Sequence, residues 1–567
     1  MVNTRKTERS SLLPTQSTQR DCYTCYQQGL LEHKSTTPHT ARYCGQCPGA
    51  ANPLAYRPTA WGKSSATRGR LLYWLLLPPV LLSLALSGYL IRICRGAHAD
   101  VLQQLSARPV DPDNYDSGAP FAPLATQKLW AAYSPYSSVG AYKPPPEDCQ
   151  VTQVNILQRH GARYPTFGLS IQIAQALLRL QSADSYLDER LKFITDYKYN
   201  LGIDDLLPFG AFQTSESGRK SFVRYPTLAD EDNLPFVRAS GSERVIESAF
   251  KWIKGFATGS GDILHAPLAL VIPETDNYNN TLEDKSCPNV GHPLGQVQEW
   301  QSRYAQPIAD RLNIAAQGMP ENVTAEGAQA LIALCALETL AVEEYSPFCD
   351  LFSKEEFEGF EYSMDLDKFY FTGHGSPLGP VQGVGYVNEL LARLTDQPVQ
   401  DHTQTNQTLD SNPDTFPLGR GIYADFSHDN LIVAVISAMG LFNGYQTKHT
   451  SSAGGLDPTR QDKSRVWFLS RIVPFSGRMV VERMECGLQL NDDAAGRSIS
   501  VDAKERQHRR AERNDSVYVR ILMNDAVQDL EFCEGADKDG LCPLHAFIRS
   551  QAYARENGQG DWEKCFK

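Results

Sequence analysis

The chain has 567 residues, 41% of them hydrophobic and 21% charged, which supplies apolar material for a large core and excludes a wholly disordered chain. Its net charge of −12 is unevenly placed. Residues 1–70 hold ten Lys/Arg against three Asp/Glu, a local +7, and the remaining 44 against 63 leave about −19 on the rest, which excludes nucleic acid as its partner.

The first seventy residues read as a cytosolic tail. Glu8-Arg9-Ser10-Ser11-Leu12-Leu13 resembles an acidic dileucine sorting signal, which on such a tail directs traffic to a vacuole-like compartment. Cys22, Cys25, Cys44 and Cys47 follow the spacing C-x2-C-x18-C-x2-C, at which four thiolates converge on one structural zinc. The surrounding Ser, Thr, Gln and Pro also fit a disordered tail whose cysteines are incidental or lipidated.

Leu71 to Ile91 is a run of 21 residues without a charge, long enough to cross a bilayer core. It lies too far from the start for a cleaved signal peptide, so it reads as a retained signal anchor, kinked by Pro78 and Pro79. Arg57, Lys63, Arg68 and Arg70 precede it and Arg92 and Arg95 follow, which places the N-terminus in the cytosol as a single-pass type II protein. The remainder is then lumenal or extracellular. All four Asn-x-Ser/Thr sequons, at Asn279, Asn322, Asn406 and Asn514, fall on that side. So do eight cysteines after residue 100, enough for four disulfides in an oxidising compartment, with 105 pairings open.

Residues 92–124, rich in Pro, Asp, Ser and Ala, read as a stalk, and 125–567 as the catalytic body. In the body, VTQVNILQ (151–158) predicts a strand and Ile171–Leu180 a helix. LPFVRA (234–239) predicts a strand followed by a helix over GSERVIESAFKWIKGF (241–256). Leu331–Leu340 and Val384–Leu394 read as helices, and residues 421–442 as another strand-to-helix step. Strands leading into helices predict an α/β sheet. The polar, Arg-rich stretch 489–512 reads as a surface insertion.

Three predicted strand ends carry side chains suited to an anion, and ligands of open α/β sheets gather at such ends. The first offers Arg159, His160 and Arg163, the second Arg238, the third His428 and Asp429. Several planar guanidiniums on one point match phosphate oxygens in a bidentate manner, so the anion is a phosphoryl group. His160, flanked by cations, is kept neutral, with a nitrogen free to attack phosphorus and form a phosphohistidine. Asp429 then protonates the leaving alkoxide, and His428 donates to phosphate oxygens. A phosphate dianion beside Asp429 should raise its pKa and favour acidic conditions.

RHGARYPT (159–166) and the later His428-Asp429 resemble the two signatures of the histidine acid phosphatases. FVRASGSERVIESAFKW, GPVQGVGYVNELLARL, IYADFSHDN and the terminal GDWEKCF are similar to those of secreted fungal phytases, over roughly Leu129 to the C-terminus. The resemblance implies a large domain with a mixed sheet flanked by helices, phosphoglycerate mutase-like, plus a smaller, mainly helical inserted domain. It implies His160 as nucleophile, Arg159, Arg163, Arg238 and His428 as phosphate ligands, Asp429 as proton donor, and no cofactor for catalysis. It also implies the pairs Cys149–Cys486, Cys287–Cys565, Cys335–Cys349 and Cys533–Cys542. The substrate it implies is phytate (myo-inositol hexakisphosphate) or a related monoester. Asp367-Lys368 stands where a more basic rim is expected, which points to a weaker phytase or a general acid phosphatase. A catalytically vestigial membrane receptor or scaffold with a zinc-binding tail is the alternative from another class.

Overall fold

A computed structural model of the chain describes residues 118–276, 278–443, 455–487 and 516–567. One mixed sheet of eight strands runs through it: β1 Cys149–Arg159, β2 Phe236–Ser240, β3 Leu268–Ile272, β4 Ile422–Ser427, β5 Arg478–Cys486, β6 Val517–Met523, β7 Ala526–Val527 and β8 Cys542–Pro543. Their spatial order is β8-β6-β5-β1-β4-β2-β3, with β7 on β6. β1, β4, β2 and β3 are parallel, while β5 and β6 add antiparallel. The parallel half therefore has its carboxyl ends at one edge, with Arg159 opposite Ser427 and Ala239 opposite Phe426.

Alternation along β1 sends side chains to opposite faces of the sheet. Val154 and Ile156 enter a core with Val237, Ala424, Val480 and Leu522; Leu157 enters another with Met479, Val481 and Ile521. Helices cover both faces. The longer ones are α1 Phe167–Gln181, α2 Pro208–Arg224, α3 Glu243–Gly259, α4 Leu294–Ala315, α5 Ala325–Val342, α6 Lys354–Phe371, α7 Val384–Thr395 and α8 Asp429–Ala438. α3 lays Val245, Ala249, Trp252 and Phe256 on the first face. α1, α4, α5 and α6 pack on one another around the second core, which α7 and α8 also enter.

α2 and α3 approach closely because glycines stand at their crossing. A Cβ on Gly218 would fall 2.0 Å from the Trp252 carbonyl oxygen, and one on Gly255 1.7 Å from that of Ser215. Three of these longer helices start on side-chain caps: Thr166 accepts from Leu169 N, Thr324 from Gly327 N, and Ser353 with Glu356 forms a capping box. Thr166 is the last residue of the RHGARYPT run, so that segment ends by starting α1.

All four disulfides are present in the pairing the resemblance implied. Cys149 and Cys486 lie directly opposite in the β1–β5 register, so the bond staples a pairing across 337 residues of chain. α5 is the helix among the described residues long and apolar enough to cross a bilayer, but 78% of its apolar window is buried within the protein. Residues 118–124, at the end of the expected stalk, pack on the body: Ala119 is buried and the Phe121 ring lies 5.2 Å from that of Phe209. The apolar run Leu71–Ile91, the tail cysteines Cys22, Cys25, Cys44 and Cys47, Asn514 and the stretch 489–512 lie outside the described residues.

Candidate active site

The site forms where β1 and β4 end. His160 follows the last residue of β1 and His428 the last of β4, and their ring centroids are 5.7 Å apart. The loop after β1 is held on every side. His160 N donates to Ser427 O, Ser476 N to His160 O, Leu207 N to Ala162 O, and Gly161 N to Ser248 Oγ on α3. A Cβ on Gly161 would meet the Gly210 carbonyl oxygen at 2.5 Å, so the loop lies against the start of α2 only because that residue has no side chain.

His160 is 2% exposed. Its Nδ1 lies 2.8 Å from Gly161 O, an acceptor only, so Nδ1 carries the proton and Nε2 keeps its lone pair. Burial, then the charges of Arg159, Arg163 and Arg244, and then His428, push its pKa well below the ordinary value, so the ring stays neutral in acid. The Nε–H groups of Arg159, Arg163 and Arg244 have no hydrogen-bond partner among the described residues. Buried donors without partners are rare in folded proteins, and three on guanidiniums coupled to one imidazole make an anion site. Helices α3 and α8 begin beside these residues, adding the positive ends of their dipoles.

Asp429, in the first turn of α8, pairs with Arg159 at 3.0 Å and with Lys368 of α6 at 3.6 Å. Burial pushes its carboxyl upward, but Arg159, Lys368, His160 and Arg163 outweigh that and hold it well below the usual range. It is thus ionised in this structure. Arg159 is fixed by Val473 O at 2.7 Å, by Ala132 O and by the Phe475 ring under its guanidinium. Tyr133, whose hydroxyl burial pushes up, lies within reach of the charges of Arg163, Lys368, Asp429 and Arg159.

His428 is held from behind. Its Nε2 donates to Glu274 Oε1 at 2.8 Å and lies 3.4 Å from Glu283 Oε2, leaving Nδ1 for a ligand. Glu274 also accepts from Ser240 Oγ, Ser242 N and Ser242 Oγ at 2.7, 2.9 and 2.6 Å. Burial opposes its ionisation, yet the bonds from His428, Ser242 and Ser240 prevail and hold its pKa well below the usual range. Burial pushes Glu283 the other way, to about 7. Donor atoms of Glu274, Glu283 and His428 lie within 4.8 Å of one another, a spacing that suits a cation, but Lys285 already sits 3.1 Å from Glu283.

Of the residues expected at the site, Arg159, His160, Arg163, His428 and Asp429 come together. Arg238 does not. It lies inside β2, opposite Asp425 in register, and its guanidinium donates to Asp425 at 2.8 Å and Glu389 at 2.6 Å, all nearly fully buried. Arg244 stands in its place, because the first turn of α3 reaches the strand-end rim and a mid-strand residue cannot. Arg244 belongs to the same VRASGSER segment and was the arginine nearer the predicted helix start. Glu274 and Glu283 come from the loop after β3, where nothing in the sequence marked them. Of the sequons, Asn279 and Asn322 are exposed, while Asn406 is half-buried and caps Leu409 N.

The family model of the histidine phosphatase superfamily (branch 2) matches residues 150–524. The chain is 39% identical to a Phytase A of Arthroderma benhamiae over 453 residues, covering 77% of this chain and 92% of that one. It is 37% identical to a Phytase A of Aspergillus fumigatus over 474 residues, covering 80% and 93%. Its fold matches that of a phytase from D. castellii with a TM-score of 0.57 at 22% identity, over 76% of this chain and 85% of that one.

Proposed function

The chain belongs to the histidine phosphatase superfamily (branch 2), as a histidine acid phosphatase of the phytase type, and from that premise we propose that it hydrolyses phytate or related phosphate monoesters through a phosphohistidine. The observation that carries this is the state of His160: Nδ1 bound to Gly161 O, Nε2 free, the ring kept neutral among three arginines. Arg159, Arg163 and Arg244 take the phosphate oxygens, and His428, as the imidazolium with Nε2–H on Glu274, donates from Nδ1 to another. His160 Nε2 forms a bond to phosphorus as the ester P–O bond breaks, and Asp429 passes its proton to the departing alkoxide. Asp429 then takes a proton from water as the water oxygen bonds to phosphorus and the P–N bond breaks. A dianion drawn toward Arg159 weakens that residue's hold on Asp429, which lets the acid protonate. This chemistry needs no metal or organic cofactor.

We further place the catalytic body on the lumenal or extracellular side, behind a signal anchor at 71–91 and a cytosolic tail whose Cys22, Cys25, Cys44 and Cys47 have the spacing of a zinc site. Four disulfides and the exposed Asn279 and Asn322 support that side. We read α4, α5 and α6 as part of a smaller helical domain covering the site, to which α6 contributes Lys368. Full-length protein should release phosphate from phytate and from p-nitrophenyl phosphate near pH 5, and His160→Ala should abolish both. Rapid quenching with labelled substrate should trap an acid-labile phosphoryl group on His160. Undiminished turnover by His160→Ala would refute the mechanism, and phosphate binding without turnover by the native protein would favour a scaffold. A glycosidase-sensitive mass shift tests the topology, and metal analysis of the reduced protein tests the zinc.

A further inference from the structure

We propose that Glu274, Glu283 and His428 form a regulatory site for a first-row divalent transition ion such as Co²⁺ or Zn²⁺, seated behind the imidazole that faces the phosphate. His428 Nε2 lies 2.8 Å from Glu274 Oε1 and 3.4 Å from Glu283 Oε2, and the three atoms all fall within 4.8 Å of one another. A tetrahedral ion with ligand bonds of about 2.1 Å spaces its ligands about 3.4 Å apart. The observed spacings straddle that value. The group is no patch of surface carboxylates, since the side chains of Glu274, Glu283 and His428 are 12%, 6% and 9% exposed.

Glu283 Oε2 marks the place of a missing partner. It is buried and has no hydrogen-bond donor among the described residues, because the one Nε2–H of His428 goes to Glu274. Such atoms are rare in folded proteins, and a metal ion between the carboxylate and the imidazole would satisfy it. Glu274 is already fixed for the task by Ser240 Oγ, Ser242 N and Ser242 Oγ, the hydrogen-bonded support that ligating carboxylates have. Lys285 competes from outside. It lies 3.1 Å from Glu283 Oε1 and 4.0 Å from Glu274 Oε2, the oxygens other than those beside Nε2, and its side chain is 71% exposed, free to swing into water. Two carboxylates then balance one divalent charge. An imidazole among the ligands selects Zn²⁺, Co²⁺ or Ni²⁺ over Ca²⁺ and Mg²⁺, which take oxygen ligands in larger number.

Binding exchanges one proton for one metal ion. The bond from Nε2 to the ion forms, the Nε2 proton leaves to solvent, and Nδ1–H stays in place to donate to phosphate. The exchange adds one unit of positive charge about 7 Å from a bound phosphate, across the width of the imidazole ring. At that distance the added charge strengthens phosphate binding about tenfold, and by linkage phosphate tightens the ion by the same factor. Catalysis needs no such ion. Its effect is to hold the product phosphate longer, so that a transition ion acts as a brake on turnover.

The test titrates the full-length protein with CoCl₂ in a calorimeter, beside its Glu283→Gln and Lys285→Ala variants. Any Co²⁺ held by the tail cysteines is common to all three and cancels. The native protein should bind one Co²⁺ more than Glu283→Gln, and Lys285→Ala should bind that ion about tenfold tighter, a gain that misfolding does not mimic. Inhibition of p-nitrophenyl phosphate hydrolysis by inorganic phosphate should strengthen about tenfold with Co²⁺ in the native enzyme and stay constant in Glu283→Gln. Phytate is avoided as substrate because it chelates the ion. Equal Co²⁺ stoichiometry in native protein and Glu283→Gln, or a Lys285→Ala affinity no tighter than native, would overturn the site. An extra ion that leaves phosphate inhibition unchanged would overturn its regulatory role. The phosphate coupling rests on the phosphatase reading and the stoichiometry does not, so a protein without turnover that still binds the extra ion would sink that reading and leave the metal site standing.

Discussion

Exchanging the two arginines of VRASGSER separates a structural role from a catalytic one. Arg238, 1% exposed in its side chain, is the joint of a buried network. It holds Asp425 at 2.8 Å and Glu389 at 2.6 Å, and Arg393 holds Asp425 at 2.6 Å. Arg238→Ala would leave Glu389 without its ion pair, held by Thr281 Oγ1 at 2.8 Å, and Asp425 with one cation instead of two. Breaking a buried pair from one side costs about 3–5 kcal/mol, because the remaining charge is stranded in low dielectric. A folded body of roughly 450 residues unfolds with an entropy near 1 kcal/mol per kelvin, so Tm should fall by about 3–5 °C. Arg244 is 21% exposed and its ion partner Asp204 lies 3.7 Å away, so Arg244→Ala should cost less than about 1 kcal/mol of stability. It should instead lower kcat/KM by about 10²–10³, the loss of one charge-assisted donor to the transferred group. Differential scanning calorimetry and steady-state kinetics on p-nitrophenyl phosphate, well below the lower Tm, read both effects. An Arg238→Ala enzyme of native Tm and collapsed kcat/KM, beside an active Arg244→Ala enzyme, would show the assignment reversed.

Stability should peak near pH 4–5. Glu361 and Asp410 are raised to about 8, Glu283 to about 7 and Asp365 to about 6, each mainly by burial, so the folded state holds protons that the unfolded chain releases, and stability falls as pH rises from about 4 to 8. Burial also opposes ionisation of Asp425 and Asp525, but their arginines bring both down to about 2, so stability is lost again as pH drops from about 4 to 2; denaturant melts across pH that peak at neutrality would contradict this. Arg163→Gln should move the acid limb of the kcat/KM profile to higher pH, because one of the cations depressing His160 is gone; an unmoved limb would mean His160 is not the titrating group. Glu274→Gln should raise KM for p-nitrophenyl phosphate about tenfold, since it loosens the hold on His428, and should also lower Tm, since the carboxylate accepts from Ser240 and Ser242 as well; a KM at the native value would remove the role toward His428. Cys149→Ser should cost about 2–5 kcal/mol, read in the same melts with and without reductant.

Much of the parallel half was legible in the sequence. Alternating apolar residues before Arg159 and Ser427, and the helical period after Ser242, announce strands that end beside helix starts, and their local patterns survive folding as β1, β4 and α3. The same local reading found His160, Arg159, Arg163, His428 and Asp429, because strand-end motifs place their own side chains at the rim. The strands Arg478–Cys486 and Val517–Met523 were not assigned, since the first takes its place by antiparallel register with β1, more than 300 positions earlier, and the second by register with the first.

What the sequence determined by itself, then, is local: which segments are strands or helices, and which side chains stand at their ends. Tertiary structure decided everything that depends on partners far along the chain. Arg238 and Arg244 lie six residues apart and look alike in sequence; only the register that puts Asp425 beside Arg238, with Glu389 arriving from α7, assigns one to the core and the other to the phosphate.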